Sequence, residues 1–326
     1  MREFGFEMVL CGMLEGGDPP LIVSRQLGAS TRGRRVVDIL TVTPGPEFDA
    51  RTTITAESIP EAAITADVGV GRFRYWKDCF DCHPDRARRA TERAIEIGFF
   101  EHERRSGRTH VRQTARYPDW FGTLRAIENK PDLDRPGELA RQLRTDVSLA
   151  VCDEVILATR SHVTGAHLNR IPSEVGVWRF DPDTGERDVI RAPERLSIDS
   201  GIEPLERHPS RTDIAVVNAD ETARLRRQLA ERAYGKGWRV EFPSCPHVEN
   251  WTVPPASNES ASVDGVPYCT RQRRIVRPSD ACNSPPSADS DVDLRSLRDR
   301  HSPWVRNPPG TATTQSSLAH FRTNQR

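Results

Sequence analysis

The hydrophobic residues of the chain fall into short runs that predict strands and helices in alternation. Apolar runs rich in β-branched residues predict strands at 20–28, 34–42, 123–129 and 153–159. Before the last of these, apolar residues recur at helical spacing and predict a helix: Leu139, Leu143, Val147 and Ala150. The first apolar run, 6–14, fits either a short helix or a strand. Strands that alternate with helices in this way predict an α/β protein.

The middle of the chain predicts a helix followed by a hairpin. Residues 84–98 begin with proline and end with glycine, which is typical of a helix. Residues 99–114 form two short runs around Ser106-Gly107, which predicts a tight turn between two strands. We interpret residues 55–116 as an insertion between two parts of a core, 1–54 and 117–242.

The C-terminal part changes character. A strand at 212–220, a helix to Gly237 and a strand at 238–243 predict a β-α-β run, so we expect the sheet to continue to about residue 242. Beyond Ser257 the chain is rich in Ser, Pro, Asn and Thr, and from about Ala281 we expect disorder. The segment 243–326 is therefore predicted to be a largely disordered tail that contains cysteines.

Charge and composition narrow the class of protein only slightly. The chain has 47 basic and 47 acidic residues, so its net charge gives no argument for a nucleic-acid or a membrane partner. The apolar runs are too short to span a bilayer, and the first residues lack the basic start and cleavage site of a signal peptide, which predicts a cytoplasmic protein without a membrane partner. Seven cysteines in such a chain favour free thiols or metal ligands over disulfides.

Lysine is rare in this chain, and one lysine stands two residues after a glutamate. The lysines are Lys77, Lys130 and Lys236, and all the other basic residues are arginine. Side chains two apart share one face of a strand, so Glu128 and Lys130 are expected together at the end of strand 123–129. A carboxylate can hold Mg²⁺, and a compact ammonium can orient water or neutralise a phosphate. The alternative is a solvated strand end with an ion pair.

The order of these parts resembles the PD-(D/E)xK nuclease superfamily. An acid-bearing strand at 34–42 is followed by the strand with Glu128 and Lys130, then by a helix and a buried strand. Glu128 and Lys130 match the second half of the superfamily's motif. The resemblance covers about 1–43 and 117–159, and it implies a restriction-endonuclease-like mixed-sheet core with metal-dependent hydrolysis of phosphodiester bonds.

Further positions bear on this resemblance. Gln142 resembles a glutamine that some branches carry on the helix after the motif, whereas the tyrosine that often follows one turn later is replaced by Asp146. The overall pattern also resembles an uncharacterised family of halophilic archaea, which implies no activity. The balanced charge departs from the acidity expected of proteins from such organisms.

Two residues are candidates for the first acid of the motif. Asp38 lies in the middle of a hydrophobic strand, and Glu7 would be a helix carboxylate that joins it. Alternatively, Asp119 follows a proline, as the motif requires literally, nine residues before Glu128. We favour Asp38 because its strand is the better buried platform.

The resemblance also implies a ligand set and a division of roles. Asp38, Glu128 and the backbone carbonyl of Asn129 would hold Mg²⁺ or Mn²⁺, and Lys130 would help to position the attacking water. Gln142 and Glu7 would lie beside this site.

The insertion resembles the last helix and the wing of a winged-helix domain. Its helix and hairpin are rich in arginine, and such a surface suits contacts with DNA phosphates. The candidate DNA-binding residues are Arg86, Arg89, Arg93, Arg104, Arg105, Arg108 and Arg112. The alternative is that these arginines pair with neighbouring acids, namely Glu92, Glu96, Glu101 and Glu103, and that the wing is structural.

Cysteines and histidines in the tail offer a separate metal site. Cys245, His247, Cys269 and Cys282 are a candidate tetrahedral Zn²⁺ set, although their spacing is irregular and free cysteines are the alternative. The leading hypothesis is a Mg²⁺-dependent endonuclease with DNA as its partner. The main rival is a DNA-binding or regulatory protein on an inactive nuclease fold, and a third is an interaction protein stabilised by zinc.

Overall fold

A computed structural model describes residues 1–29, 35–134, 137–253, 262–280 and 292–309. The α-helices are α1 (Glu3–Glu15), α2 (Phe48–Thr52), α3 (Glu61–Ile64), α4 (Pro84–Glu96), α5 (Leu139–Leu149), α6 (Gly165–Leu168), α7 (Ala219–Lys236) and α8 (Leu294–His301). The strands are β1 (Ile22–Gly28), β2 (Val36–Pro44), β3 (Arg74–Tyr75), β4 (Phe100–Arg105), β5 (Arg108–Gln113), β6 (Phe121–Asn129), β7 (Glu154–Thr159), β8 (Gly176–Phe180), β9 (Arg187–Arg191), β10 (Gly201–Arg207), β11 (Thr212–Val217), β12 (Val248–Val253), β13 (Val263–Cys269) and β14 (Arg274–Ile275).

The chain divides into two compact units. The first, called unit 1, comprises Met1–Pro46 and Asp119–Trp304, and the second, unit 2, comprises Glu47–Pro118 with residues 305–309 of the described chain. The insertion that the sequence places at 55–116 thus corresponds to a somewhat longer segment. Among the described residues no helix is long and apolar enough to cross a membrane.

Unit 1 is built on a six-stranded mixed sheet with the order β1-β2-β6-β7-β8-β9. β2 runs antiparallel to both of its neighbours, β1 and β6. β6, β7 and β8 are parallel to one another, and β9 is antiparallel to β8. Because β6, β7 and β8 are parallel, their carboxyl ends meet at one edge of the sheet. β2 begins at that same edge, since it runs in the opposite direction to β6.

Helices cover both faces of this sheet. α1 is mostly apolar and is buried on all sides, and it packs on the face that carries Ile39, Ile127 and Ile156. α5 is amphipathic, and its Leu139 and Leu143 pack on the opposite face. The side chains of successive strand residues alternate between these two faces, so residues 38 and 128 lie on the face of α5.

Unit 2 contains α4 and a three-stranded sheet with the order β3-β5-β4. α4 starts at Pro84, directly after His83, whose ring accepts a hydrogen bond from the backbone N–H of Asp85. Its alanines pack inward, and the hairpin β4–β5 turns at Ser106 and Gly107, which both have positive φ. Gly107 adopts φ +77° without the penalty that a side chain would bring.

The predicted extension of the sheet to residue 242 is wrong. The central sheet ends at β9, and β11 pairs only with β10 in a separate two-stranded sheet. β11 leaves Ile214 and Val216 exposed, and residues 238–243 form no strand. Trp238 is buried against α1 instead, so its apolar character reflects side-chain packing and not membership of a strand.

The prediction that 243–326 is largely disordered is also wrong for its described part. β12, β13 and β14 form a three-stranded sheet, and α8 follows at Leu294–His301. Val253, Val263 and Val266 are buried in the same core cluster as α1. The overall composition of this segment is polar, so it did not indicate that these few apolar residues are buried. Residues 254–261, 281–291 and 310–326, on which the rest of this prediction falls, lie outside the described residues.

Candidate active site

Two of the predicted acids meet at the edge of the central sheet. The register of β2 and β6 pairs Ile39 with Ile127, so Asp38 and Glu128 are the next opposed positions toward the edge. Opposed residues of an antiparallel pair point to the same face. The Oδ2 atom of Asp38 accepts a hydrogen bond from the backbone N–H of Asn129 at 3.1 Å, which fixes this register at the point where β6 ends.

Asn129 contributes an unsatisfied oxygen to the same place. Its side chain is buried, and its Nδ2 lies 3.4 Å from Oδ2 of Asp38. Within the described chain its Oδ1 has no hydrogen-bond partner. A buried acceptor without a donor costs free energy, so this oxygen is suited to a water or a cation.

An arginine bridges Glu128 to α5. Nη2 of Arg35 donates to Oε2 of Glu128 at 2.6 Å, and the same guanidinium donates to both oxygens of Asp146 at 2.7 and 2.6 Å. Asp146 lies one turn after Gln142 on α5. Its carboxylate is buried, and here it serves as the counter-ion of Arg35.

The carboxyl groups of this site hold their protons unusually firmly. Burial raises the pKa of Glu128, the nearby Asp38 raises it further, and Arg35 only partly offsets both. Burial also raises the pKa of Asp38, and the hydrogen bond from Asn129 acts in the opposite direction. Although burial lowers the pKa of Arg35, its bonds to Asp146 raise it above the usual range, so the guanidinium stays charged. Negative charge is therefore incompletely compensated between Asp38 and Glu128.

Glu7 joins the site through Gln26. Oε1 of Glu7 accepts hydrogen bonds from Nε of Arg25 at 2.8 Å and from Nε2 of Gln26 at 3.1 Å. The same Nε2 lies 3.3 Å from Oδ1 of Asp38. Gln26 has a positive φ of 52° in β1, an unusual backbone conformation that accompanies this bridge.

Lys130 directly follows β6, and Gln142 lies on α5. The backbone N–H of Lys130 continues the pairing of β6 with β7 by donating to the carbonyl of Ala158 at 2.9 Å. Its side chain is half-buried, and no described residue forms a hydrogen bond or an ion pair with its ammonium. Gln142 is half-buried one turn before Asp146 on α5, so both face the same side of the helix.

Asp119, the alternative first acid, lies far from this site. It is exposed and precedes β6, while Glu128 is near the other end of that strand. Nine residues of extended chain span about 30 Å. The structure therefore brings Glu128 together with Asp38 and not with Asp119.

A scan against family models matches residues 22–288 to a family described as a family of unknown function, DUF5787. The chain belongs to this family. The matched region contains Asp38, Glu128 and Lys130, whereas Glu7 precedes it. Searches of curated proteins and of solved structures return no match for this DUF5787 chain.

The candidate zinc residues do not form a group of three in the described part of this DUF5787 protein. Val248 pairs with Cys269, which brings the backbones of His247 and Cys269 close together. Cys245 and Cys269 are buried, and the Sγ of Cys269 accepts a hydrogen bond from the backbone N–H of Gln272. Cys282 lies outside the described residues.

A different cluster does bring three ligand atoms together. Glu206, His208 and Asp213, on the hairpin β10–β11, have ligand atoms within 4.8 Å of one another, and this is the one such group among the described residues. His208 is paired with Asp213 at 3.0 Å, which accounts for the arrangement without an ion. The ligand atoms of Asp38, Glu128 and Glu7 do not form such a group in the described part of the chain.

Most of the candidate DNA-binding arginines in unit 2 are already paired. The described contacts are Arg86 with Glu61, Arg93 with Glu96, Arg105 with Glu103 and Arg112 with Glu101. Arg108 lies 5.5 Å above the ring of Tyr75. Arg89 and Arg104 are exposed, and no described residue pairs with either guanidinium. The alternative that these arginines pair with neighbouring acids therefore holds for several of them. Arg89 and Arg104 are the two whose guanidiniums have no described partner.

Arg35, Asp146 and Gln26 are site residues that the sequence reasoning missed. Asp146 stands four residues after Gln142, so its position on the same helix face was a signal that an acid would reach the site. Arg35 directly precedes the strand of Asp38, which places a cation at the sheet edge. Gln26 carried no such signal, because its orientation depends on an unusual φ.

Proposed function

We propose that this protein is a metal-dependent nuclease that hydrolyses phosphodiester bonds in DNA. The observation that carries this proposal is the pair of carboxylates, Asp38 and Glu128, held side by side with raised pKa values at a sheet edge beside Lys130. Perturbed carboxyl groups that share one exposed edge are typical of catalytic and metal sites.

The order of the elements supports a restriction-endonuclease-like core. In unit 1 a helix, three strands, a helix and a strand follow one another as α1, β1, β2, β6, α5 and β7. Unit 2 is inserted between β2 and β6. This is the order that the resemblance to the PD-(D/E)xK superfamily implies, with the acids on the second and third strands.

The residues present fit a hard divalent cation. Asp38 and Glu128 supply carboxylate oxygens, and the backbone carbonyl of Asn129 is the third ligand that the resemblance implies. The buried Oδ1 of Asn129, which lacks a described partner, adds a further oxygen near Asp38. When bound, Mg²⁺ or Mn²⁺ would neutralise negative charge on the phosphate and acidify a bound water.

The chain's own residues then have distinct roles in hydrolysis. The oxygen of water attacks phosphorus, the bond from phosphorus to one bridging oxygen breaks, and the proton of the water ends on that leaving oxygen. Lys130 donates hydrogen bonds to the attacking water or to a phosphate oxygen. Arg35, held by Asp146, presents a fixed positive charge beside Glu128 and restrains its carboxylate.

The test uses purified full-length protein and labelled DNA. Wild type and Lys130→Ala are incubated with single- and double-stranded substrates in Mg²⁺, in Mn²⁺ and in chelator. We expect metal-dependent cutting by wild type and a loss of about 100-fold or more in the variant, since removing one transition-state donor costs 10²–10³ in rate. Lys77→Ala, which removes an exposed lysine in unit 2, is the matched control and should cut as wild type does.

Unit 2 is proposed to be a winged-helix-like module that contacts DNA. The helix α4 is followed by the hairpin β4–β5, and β3 completes the sheet, which is the arrangement of a wing. Arg89 on α4 and Arg104 on β4 are the exposed cations that support phosphate contact.

A second candidate function is a DNA-binding protein on an inactive nuclease fold. The observation that favours it is the contact of Arg35 with Glu128, because an internal guanidinium partly replaces the charge of a metal ion. In the same assay this alternative predicts no cutting in any metal, with DNA retained equally by wild type and by Lys130→Ala.

A further inference from the structure

A cavity opens at the end of the central sheet where β7 and β8 finish. Its volume is about 390 Å³, which is in the usual range for ligand-binding clefts. Its walls come from α1, from the segments that follow β7 and β8, and from the sheet of β12, β13 and β14. The side chains that matter for its chemistry are Arg2, Arg160, Trp251, Tyr268, Arg273 and Arg274.

Aromatic rings form one wall of this cavity. Trp251 on β12 and Tyr268 on β13 stack with ring centroids 6.3 Å apart and an angle of 29° between the rings. Both side chains are half-buried, and they pack on one side against the core cluster of α1. Such rigid aromatic faces are platforms on which nucleic-acid bases of any sequence can stack.

Positive charge dominates the cavity lining. Four arginines line it, and Asp183 is its one acid. Arg160 is paired with Asp183 at 2.7 Å, and Arg274 with Asp280 at 3.1 Å. Arg2 and Arg273 have no ion pair or side-chain hydrogen bond with any described residue. Unpaired guanidiniums beside aromatic rings match a ligand that carries both phosphates and planar bases.

The backbone of Arg273 is strained in a way that fits a binding role. It adopts a left-handed φ of 50° in the turn between β13 and β14. A long side chain is uncommon in this conformation, and such outliers cluster at ligand sites.

The cavity and the carboxylate site lie at the same end of the parallel strands of the central sheet. Arg160 follows β7, and its backbone N–H donates to the carbonyl of Pro131 at 3.2 Å, while Lys130 donates to Ala158 of the same strand. Arg160 in the cavity wall and Lys130 at the carboxylate site therefore follow neighbouring strands, β7 and β6, at the same end of the sheet.

We propose that this cavity binds single-stranded nucleic acid, with a base stacked on Trp251 and Tyr268 and with the flanking phosphates held by Arg273 and Arg2. Its role as the path of a strand entering or leaving the carboxylate site rests on the proposed nuclease function, but the binding itself does not require cutting.

The test measures binding in chelator, where no metal-dependent cutting occurs. A fluorescein-labelled oligothymidylate and a duplex of equal length are titrated with the full chain, and anisotropy reports the dissociation constant. We expect Trp251→Ala and Arg273→Ala each to weaken binding of the single strand, roughly 5- to 100-fold for the lost stack. Trp251→Phe should retain most of the affinity, and Arg211→Ala, an exposed arginine outside the cavity, should bind as wild type does.

The outcomes separate this inference from the nuclease proposal. If Arg273→Ala and a folded Trp251→Ala bind the single strand as wild type does, the inference is overturned, whatever the cutting assay shows. It is also overturned if the variants lose only duplex binding. If the affinity falls as expected while no metal supports cutting, the binding subsite stands and the nuclease proposal fails. Thermal melts of each variant identify any loss that is due to unfolding.

Discussion

Arg35 and Asp146 set the electrostatic balance of the carboxylate site. Three buried or half-buried acids, Asp38, Glu128 and Asp146, face this one guanidinium. Asp146 takes two of its hydrogen bonds, so Glu128 receives only part of its charge. An arginine that is shared in this way fixes geometry through its planar fork and still leaves a net negative charge for a cation. The same arginine supports two readings, a positioning group in an enzyme and a substitute for the ion in an inactive fold.

Glu128 is predicted to destabilise the metal-free protein at neutral and alkaline pH. Its pKa is raised on folding to about 7, so between the ordinary carboxyl pKa and this value the folded state binds more protons than the unfolded state. Stability therefore falls as pH rises through this window, and the full cost is present above it. Glu128→Gln removes the charge and should raise the free energy of unfolding by about 1–3 kcal/mol at pH 8 in chelator, since one pKa unit corresponds to about 1.4 kcal/mol. Denaturant titrations across pH check this.

The pH dependence supplies the control for that measurement. The difference between Glu128→Gln and wild type should shrink as pH falls, and it should vanish near the ordinary carboxyl pKa of about 4.3. Glu154→Gln, on the neighbouring strand and paired with Arg125, should change stability by less than about 1 kcal/mol. A Glu128→Gln protein that is less stable than wild type at pH 8 would contradict the picture of two competing carboxylates.

At the scale of elements, α4 and β4 carry Arg89 and Arg104, the exposed arginines on which the proposed DNA contact rests. We expect the double variant Arg89→Ala, Arg104→Ala to weaken DNA binding and to lower the slope of log affinity against log salt by about two, because each phosphate contact contributes about 0.9. The control is Arg88→Ala, Arg105→Ala, which removes one arginine from each of the same elements. Arg88 is paired with Glu92 and Arg105 with Glu103, so the slope should change less. Equal slopes for both double variants would show that pairing does not decide the contacts.

The elements also show how far the sequence alone could be used. α5, β6 and β7 were predictable because their apolar periodicities are strong and their packing agrees with them. The choice of Asp38 as the partner of Glu128 rested on the resemblance and on the hydrophobic strand that carries it, and the register of β2 with β6 places the two residues opposite each other. β11 was misplaced because an apolar alternation shows that a strand exists but not which strand it pairs with, and its apolar side chains are exposed.

At the scale of the whole molecule, the polar C-terminal part belongs to the core of unit 1. The buried pair Arg239–Glu15 joins α1 to the segment after α7, and Nε of Arg239 donates to the carbonyl of Asp264 in β13. Val253 reaches α1 at Gly12, where an added Cβ would lie 2.6 Å from a Val253 methyl group. Composition could not predict this, because a thin sheet needs only a few apolar residues when a mostly apolar helix, buried on all sides, supplies the rest of the interface.

The close approach at Gly12 predicts a test of this shared core. Gly12→Ala should lower the free energy of unfolding by about 1–3 kcal/mol through overpacking, although alanine favours an isolated helix by about 1 kcal/mol. Val253→Ala leaves a cavity and should also destabilise, but the double variant should lose less than the sum, since each change relieves the other. Gly165→Ala, where an added Cβ meets nothing within 4 Å, is the control and should stay within about 1 kcal/mol of wild type. If Gly12→Ala stabilises the protein and shows no coupling to Val253→Ala in denaturant titrations, β12 does not pack on α1, and the C-terminal part is not a component of the core.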